Sequence, residues 1–151
     1  MMKQIVLVLM CLLSLGATAQ TERTFSKEQL PLGDGLVLSY RQMRIEGEKP
    51  MLVIYLHGGS SCGTDNETQM GEPGIDSIAR YLVQQAMPAV FVVPQCSNRT
   101  KGWGGMASDV KRLLDYVVQQ EAADTARIYI FGGSMGGTGT WKMLSLYPCY
   151  F

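Results

Sequence analysis

The run Met51-Leu52-Val53-Ile54-Tyr55-Leu56 is apolar or aromatic throughout. Strict alternation would mark a sheet with one wet face, whereas an unbroken run predicts a strand covered on both faces of a parallel sheet. Ala89-Val90-Phe91-Val92-Val93 is a second such run, and Arg127 to Phe131 a third. Between them the period lengthens. Ile75, Ile78, Ala79, Leu82, Val83 and Ala86 fall on one face of a helix, which Pro88 closes. Met106, Val110, Leu113, Leu114, Val117 and Val118 form a second helical face. Met135, Trp141, Leu144 and Tyr147 mark a third, closed by Pro148, with Trp141 expected in the core. Alternating strands and helices predict a mostly parallel sheet with helices packed on both sides. Leu36 to Ile45 alternates only in part, as an antiparallel edge pair with one wet face does. Residues 20–35 read as a mobile lead-in, polar and aperiodic to Leu30 and then a turn from Pro31 to Gly35.

The N-terminus adds a targeting segment. Lys3 precedes the apolar run Ile5 to Leu15, which is shorter than the ~20 residues that span a bilayer. Ala17-Thr18-Ala19 fits a small-x-small cleavage site, so residues 1–19 read as a signal peptide and the mature protein as secreted or periplasmic. With 13 basic and 13 acidic residues the chain is neutral, which argues against nucleic acid or an anionic membrane as partner. Cys62 and Cys96 each follow a predicted strand; both a disulfide between them and two loop thiols remain open.

Candidate chemistry sits at two strand ends. Gly132-Gly133-Ser134-Met135-Gly136-Gly137 reads G-x-S-x-G between a strand and a helix, the context of a nucleophile elbow. Gly132 and Gly136 suit the tight turn, and Gly137 and Gly139 are expected to let the helix approach the sheet closely. His57-Gly58-Gly59-Ser60 follows the first strand directly. In acyl transfer, backbone N–H groups aimed at the developing oxyanion stabilise the transition state, and the candidate donors are Met135 and Gly59. Trp103, in the Gly-rich loop Lys101–Gly105, either lines a substrate pocket or packs beneath its loop. Gln95 is a further candidate for shaping the site, and Asp65 to Gln69 reads as a loop that bonds itself or frames the pocket.

These motifs, with Val93-Pro94-Gln95-Cys96, Gly102-Trp103-Gly104 and Tyr147-Pro148, resemble those of α/β-hydrolases. Within that superfamily the chain is similar to secreted bacterial esterases and to prolyl-oligopeptidase-like or phospholipase/carboxylesterase-like hydrolases. The resemblance covers residues 36–151 and implies a three-layer α/β sandwich, with Ser134 as nucleophile and Met135 and Gly59 as oxyanion donors. It implies no metal and no organic cofactor. The substrate it implies is a small-molecule or polysaccharide-linked ester, such as the acetyl and feruloyl esters of plant polysaccharides.

The resemblance also exposes a departure. In such enzymes the order is Ser, then Asp or Glu, then His. None of the seventeen residues after Ser134 is Asp, Glu or His, and the single histidine, His57, belongs to the oxyanion loop, where the resemblance gives it a structural role. The expectation is therefore the N-terminal part of the fold, ending after the elbow helix. The strand at Ile128–Phe131 would then be an open apolar edge, prone to self-association. Three readings stay open: a serine esterase lacking its downstream Asp and His, an inactive relic or binding protein, and a prolyl-oligopeptidase-like peptidase fragment.

Overall fold

The computed structural model describes residues 23–151; the signal-like segment 1–19 lies outside them. Five strands form one sheet: β1 (Ser26–Gly33), β2 (Leu36–Ile45), β3 (Met51–Leu56), β4 (Ala89–Pro94) and β5 (Ile128–Gly132). Their order is β1-β2-β4-β3-β5. β1 and β2 are an antiparallel hairpin, β2 runs antiparallel to β4, and β3 is parallel to both β4 and β5.

β3 and β4 are buried at every position, as their unbroken apolar sequences require. Their side chains divide by parity between two cores. Leu52, Ile54, Leu56, Val90 and Val92 face one side, where Val110, Leu113, Leu114 and Val117 of helix α3 (Ala107–Glu121) cover them. Met51, Val53, Tyr55, Phe91 and Val93 face the other, against Ile75, Ala79 and Leu82 of helix α1 (Pro73–Gln84). Helix α2 is the single turn Gly102–Gly105, and α4 (Met135–Leu146) leaves directly from the end of β5. The layers are helix, sheet, helix, with the β3 and β5 C-terminal ends meeting at the candidate site.

Four expectations need correction. Residues 26–33, read as part of a mobile lead-in, are strand β1, paired in register from Ser26–Gln42 to Pro31–Val37. Its pairing comes from the hairpin: Gly33, Asp34 and Gly35 all take positive φ, a tight turn that brings a polar strand back onto β2. The third apolar run is not covered on both faces. Ile128 is buried, but Tyr129 and Phe131 are 45% and 44% exposed on the α1 side. Trp141 is not core but 75% exposed. The buried face of α4 is instead Gly136, Gly139 and Met143, because a Cβ on Gly136 would overlap the Leu56 carbonyl and one on Gly139 the Trp103 side chain. The helix lies on the sheet through glycine, so its exposed side carries the large side chains. Gly137 departs from the expectation too: its nearest neighbour would be the Gly132 carbonyl, 3.5 Å from a Cβ, which is ordinary contact.

Candidate active site

Ser134 stands at the apex between β5 and α4 with φ 52° and ψ −119°. A non-glycine residue there is strained by roughly 1–3 kcal/mol, and such strain persists only where its surroundings over-determine it. Those surroundings are visible. The Gly136 N–H donates to the Gly133 carbonyl at 2.8 Å, the Thr138 N–H donates to the Ser134 carbonyl at 3.1 Å, and Gly132 has no room for a side chain against Gly136. The turn leaves the Ser134 side chain exposed.

A cavity of about 560 Å³ opens beside it, lined by Gly58, Gly59, Ser60, Glu72, Arg99, Ser134 and Met135. Three sequence candidates therefore share one space: Ser134, Met135 and Gly59. Met135 is the first residue of α4, and Gly59 begins the 3-10 turn Gly59–Ser61. First-turn N–H groups have no intrahelical acceptor and remain available to a ligand. The Met135 Sδ lies 3.7 Å from where a Cβ would stand on Gly59, and the Ser134 Cβ lies 3.7 Å from the equivalent position on Gly58.

The loop is held from behind by Glu72, at the start of α1. Its Oε1 accepts from the Gly58 N–H and from the Ser61 hydroxyl, both at 3.0 Å. His57 fixes the other side. The Cys96 N–H donates to its Nε2 at 2.9 Å, so the ring proton sits on Nδ1, which donates to the Gly58 carbonyl at 2.7 Å. The ring is fully buried and packs edge-on against Trp103, with centroids 4.9 Å apart. Burial holds its pKa below the ordinary value, against weaker raising effects of the Gly58 carbonyl and Glu72. With both nitrogens occupied and no water contact, His57 cannot take a proton from Ser134. It is a structural pin, as the resemblance implied.

Trp103 and Gln95 do not line the cavity. Trp103 is 1% exposed, and its indole N–H donates to the His57 carbonyl at 2.8 Å. It wedges beneath its own turn, against α4 at Gly139. Gln95 is also buried: its amide donates to Asp65 Oδ1 at 2.7 Å and accepts from the Asn66 N–H at 2.6 Å. Both were candidates for substrate contact, and both have their polar groups consumed internally. Asp65 accepts from the Thr68 hydroxyl and the Gln95 amide, and also from the Glu67 and Thr68 N–H groups; these hydrogen bonds, in that order, hold its carboxyl far below the usual carboxylate range. Asn66 reaches the Tyr40 carbonyl at 3.0 Å, and Gln69 donates to Asn66 at 2.6 Å. The loop bonds itself, and it braces the hairpin.

Glu72 and Arg99 also line the cavity with Ser134. Both are isolated charges in loops, with no motif to announce them; only the cavity brings them beside Ser134. Cys62, Cys96 and Cys149 are free thiols, and burial pushes the Cys96 thiol up to about 11. Among the described residues no group of three His, Cys, Asp or Glu side chains gathers as a metal site, and no helix is long and apolar enough to cross a membrane.

No protein-family model matches the chain. Two curated relatives do: the proteins named feruloyl esterase B from Neurospora crassa and Thermothelomyces thermophilus. Each is 27% identical over 68% of this chain. The chain spans 37% and 36% of their respective lengths. Among solved structures, a thermostable esterase superposes with a TM-score of 0.75 at 27% identity, over 84% of this chain and 39% of its own. An acetyl xylan esterase from Aspergillus awamori superposes with a TM-score of 0.62 at 16% identity, over 83% of this chain and 49% of its own, a likeness of fold.

Proposed function

We propose that this chain, which has the α/β-hydrolase fold, is the nucleophile-bearing part of a serine esterase. One observation carries the reading: Ser134 is held in a strained turn, exposed, at the mouth of a cavity it shares with Gly59 and Met135. In the proposed mechanism the Ser134 hydroxyl attacks the ester carbonyl. The N–H groups of Met135 and Gly59 receive the oxyanion, each lowering the barrier by about 3 kcal/mol. Serine is a weak nucleophile unless a base takes its proton. The one histidine is occupied in the loop, so on this reading the base and its carboxylate partner are supplied from outside the described residues. The names of the curated relatives support a feruloyl-type ester as substrate, and the signal-like residues 1–19 support export. An inactive relic that kept the elbow for packing would need Gly136 and Gly139, but it would have no use for a strained serine at the apex.

The test is the natural gene product assayed on 4-nitrophenyl acetate and methyl ferulate, beside its Ser134→Ala variant. The variant is expected to lose about a million-fold in turnover. A variant that hydrolyses either ester as fast as the parent sinks the proposal.

A further inference from the structure

We propose that Arg99 is a recognition point for a carboxylate, so that the site takes esters whose acyl or alcohol part carries an acidic group beyond the scissile bond. This rests on the hydrolase reading above and adds the substrate class to it.

The described arginines make the contrast. Arg23 and Arg80 pair with Asp76, Arg41 with Glu67, Arg44 with Glu121 and Arg127 with Asp124. Arg112 donates to the Leu32 carbonyl at 3.0 Å. Among the described residues Arg99 has neither a carboxylate within 4.0 Å nor a hydrogen-bond acceptor, yet it is the one that lines the cavity with Ser134. Its Nε lies 3.4 Å, and its Cζ 3.8 Å, from where a Cβ would stand on Gly59. The guanidinium thus lies over the oxyanion turn, beside the place a substrate carbonyl would occupy.

The backbone beneath it is not loose. The Gly102 N–H donates to the Asn98 carbonyl at 2.9 Å, the Lys101 N–H donates to Asn98 Oδ1 at 3.0 Å, and the Cys96 thiol donates to the Asn98 carbonyl at 3.3 Å. A braced turn carries an uncommitted cation. From Pro88 to Ser108 the chain holds Arg99 and Lys101 and no acidic residue. The other charge on the cavity is Glu72, whose Oε1 already accepts from Gly58 and Ser61. Like-charge repulsion keeps a substrate anion off the Glu72 side and directs it to the Gly59–Arg99 side. A guanidinium presents a planar fork that binds a carboxylate through two parallel hydrogen bonds, which favours carboxylate over a point-like ligand.

The experiment compares two substrates that differ only in the anion: 4-nitrophenyl hydrogen adipate and its methyl-capped ester, 4-nitrophenyl methyl adipate. The natural gene product is expected to prefer the free acid in kcat/KM. In Arg99→Gln the ratio of free acid to capped ester should fall by about two- to fivefold, the size of an exposed ion pair. Arg99→Lys should keep part of the preference, and 0.5 M salt should shrink it in the parent by roughly the screening of an exposed pair. Glutarate should inhibit competitively, and better than inorganic phosphate. Equal hydrolysis of both esters, with a ratio unmoved by Arg99→Gln, overturns the carboxylate site and leaves the esterase standing. Stronger inhibition by phosphate overturns the choice of anion. Hydrolysis of neither ester overturns the esterase reading and this inference with it.

Discussion

The glycines of the elbow are not equivalent sterically, and two of them make opposite predictions. A Cβ on Gly136 would overlap the Leu56 carbonyl, so Gly136→Ala is expected to cost at least about 3 kcal/mol. A Cβ on Gly137, in the same helix, would make only an ordinary 3.5 Å contact with the Gly132 carbonyl, so Gly137→Ala should stabilise by about 0.5–1 kcal/mol. Urea midpoints of the two variants check both signs. His57 gives a second test. Its folded pKa is depressed by burial, so below about pH 6.5 the unfolded chain takes up a proton that the native ring refuses. Stability is therefore complete above that pH and falls as pH drops, by at most about 1.4 kcal/mol per unit. Because the chain has one histidine, His57→Gln should flatten the slope between pH 5 and about 6.5 in chemical denaturation. At this scale the motif residues Ser134, Gly132 and His57 were legible because turn chemistry constrains residue type. Trp103 and Gln95 were not, since an aromatic or an amide in a loop reads the same whether it faces a cavity or the core.

Elements were legible where burial was complete. β3 and β4 announce themselves because both faces are apolar, and α1 and α3 because their stripes keep helical spacing. β1 was missed because its stability lies in pairing with β2, and an exposed hairpin strand carries no hydrophobic period. The face of α4 was legible only in part: Met135 and Tyr147 pack against the core, but Trp141 is exposed, and hydrophobic periodicity takes no account of the glycines this helix buries. β5 shows the cost of a one-sided strand. Tyr129 and Phe131, with Ile78, Tyr81, Leu82 and Met87, line an apolar groove of about 390 Å³ along the end strand of the described sheet. An open apolar edge is a template for another chain. The 151-residue chain is accordingly expected to self-associate, and Tyr129→Lys with Phe131→Lys should shift it toward monomer in sedimentation velocity. Unchanged association would place the contact elsewhere.

For the whole molecule, the order β1-β2-β4-β3-β5 brings the ends of β3 and β5 side by side, although seventy-odd residues separate them in the chain. That adjacency is the reason a Gly-rich loop and a serine turn share one cavity. It was legible in outline, because two motifs after two buried strands point to one sheet edge. The charges around it were not, because which loop folds over the site is decided by the sheet and not by local pattern. The central claim is that Ser134 is an acyl nucleophile, and labelling tests it most directly. The natural gene product is treated with a fluorophosphonate probe, digested, and mapped by mass spectrometry. A single adduct is expected, on the Ser134 hydroxyl, lost in Ser134→Ala. A folded, full-length gene product that takes up no probe, or carries it on another residue, contradicts it.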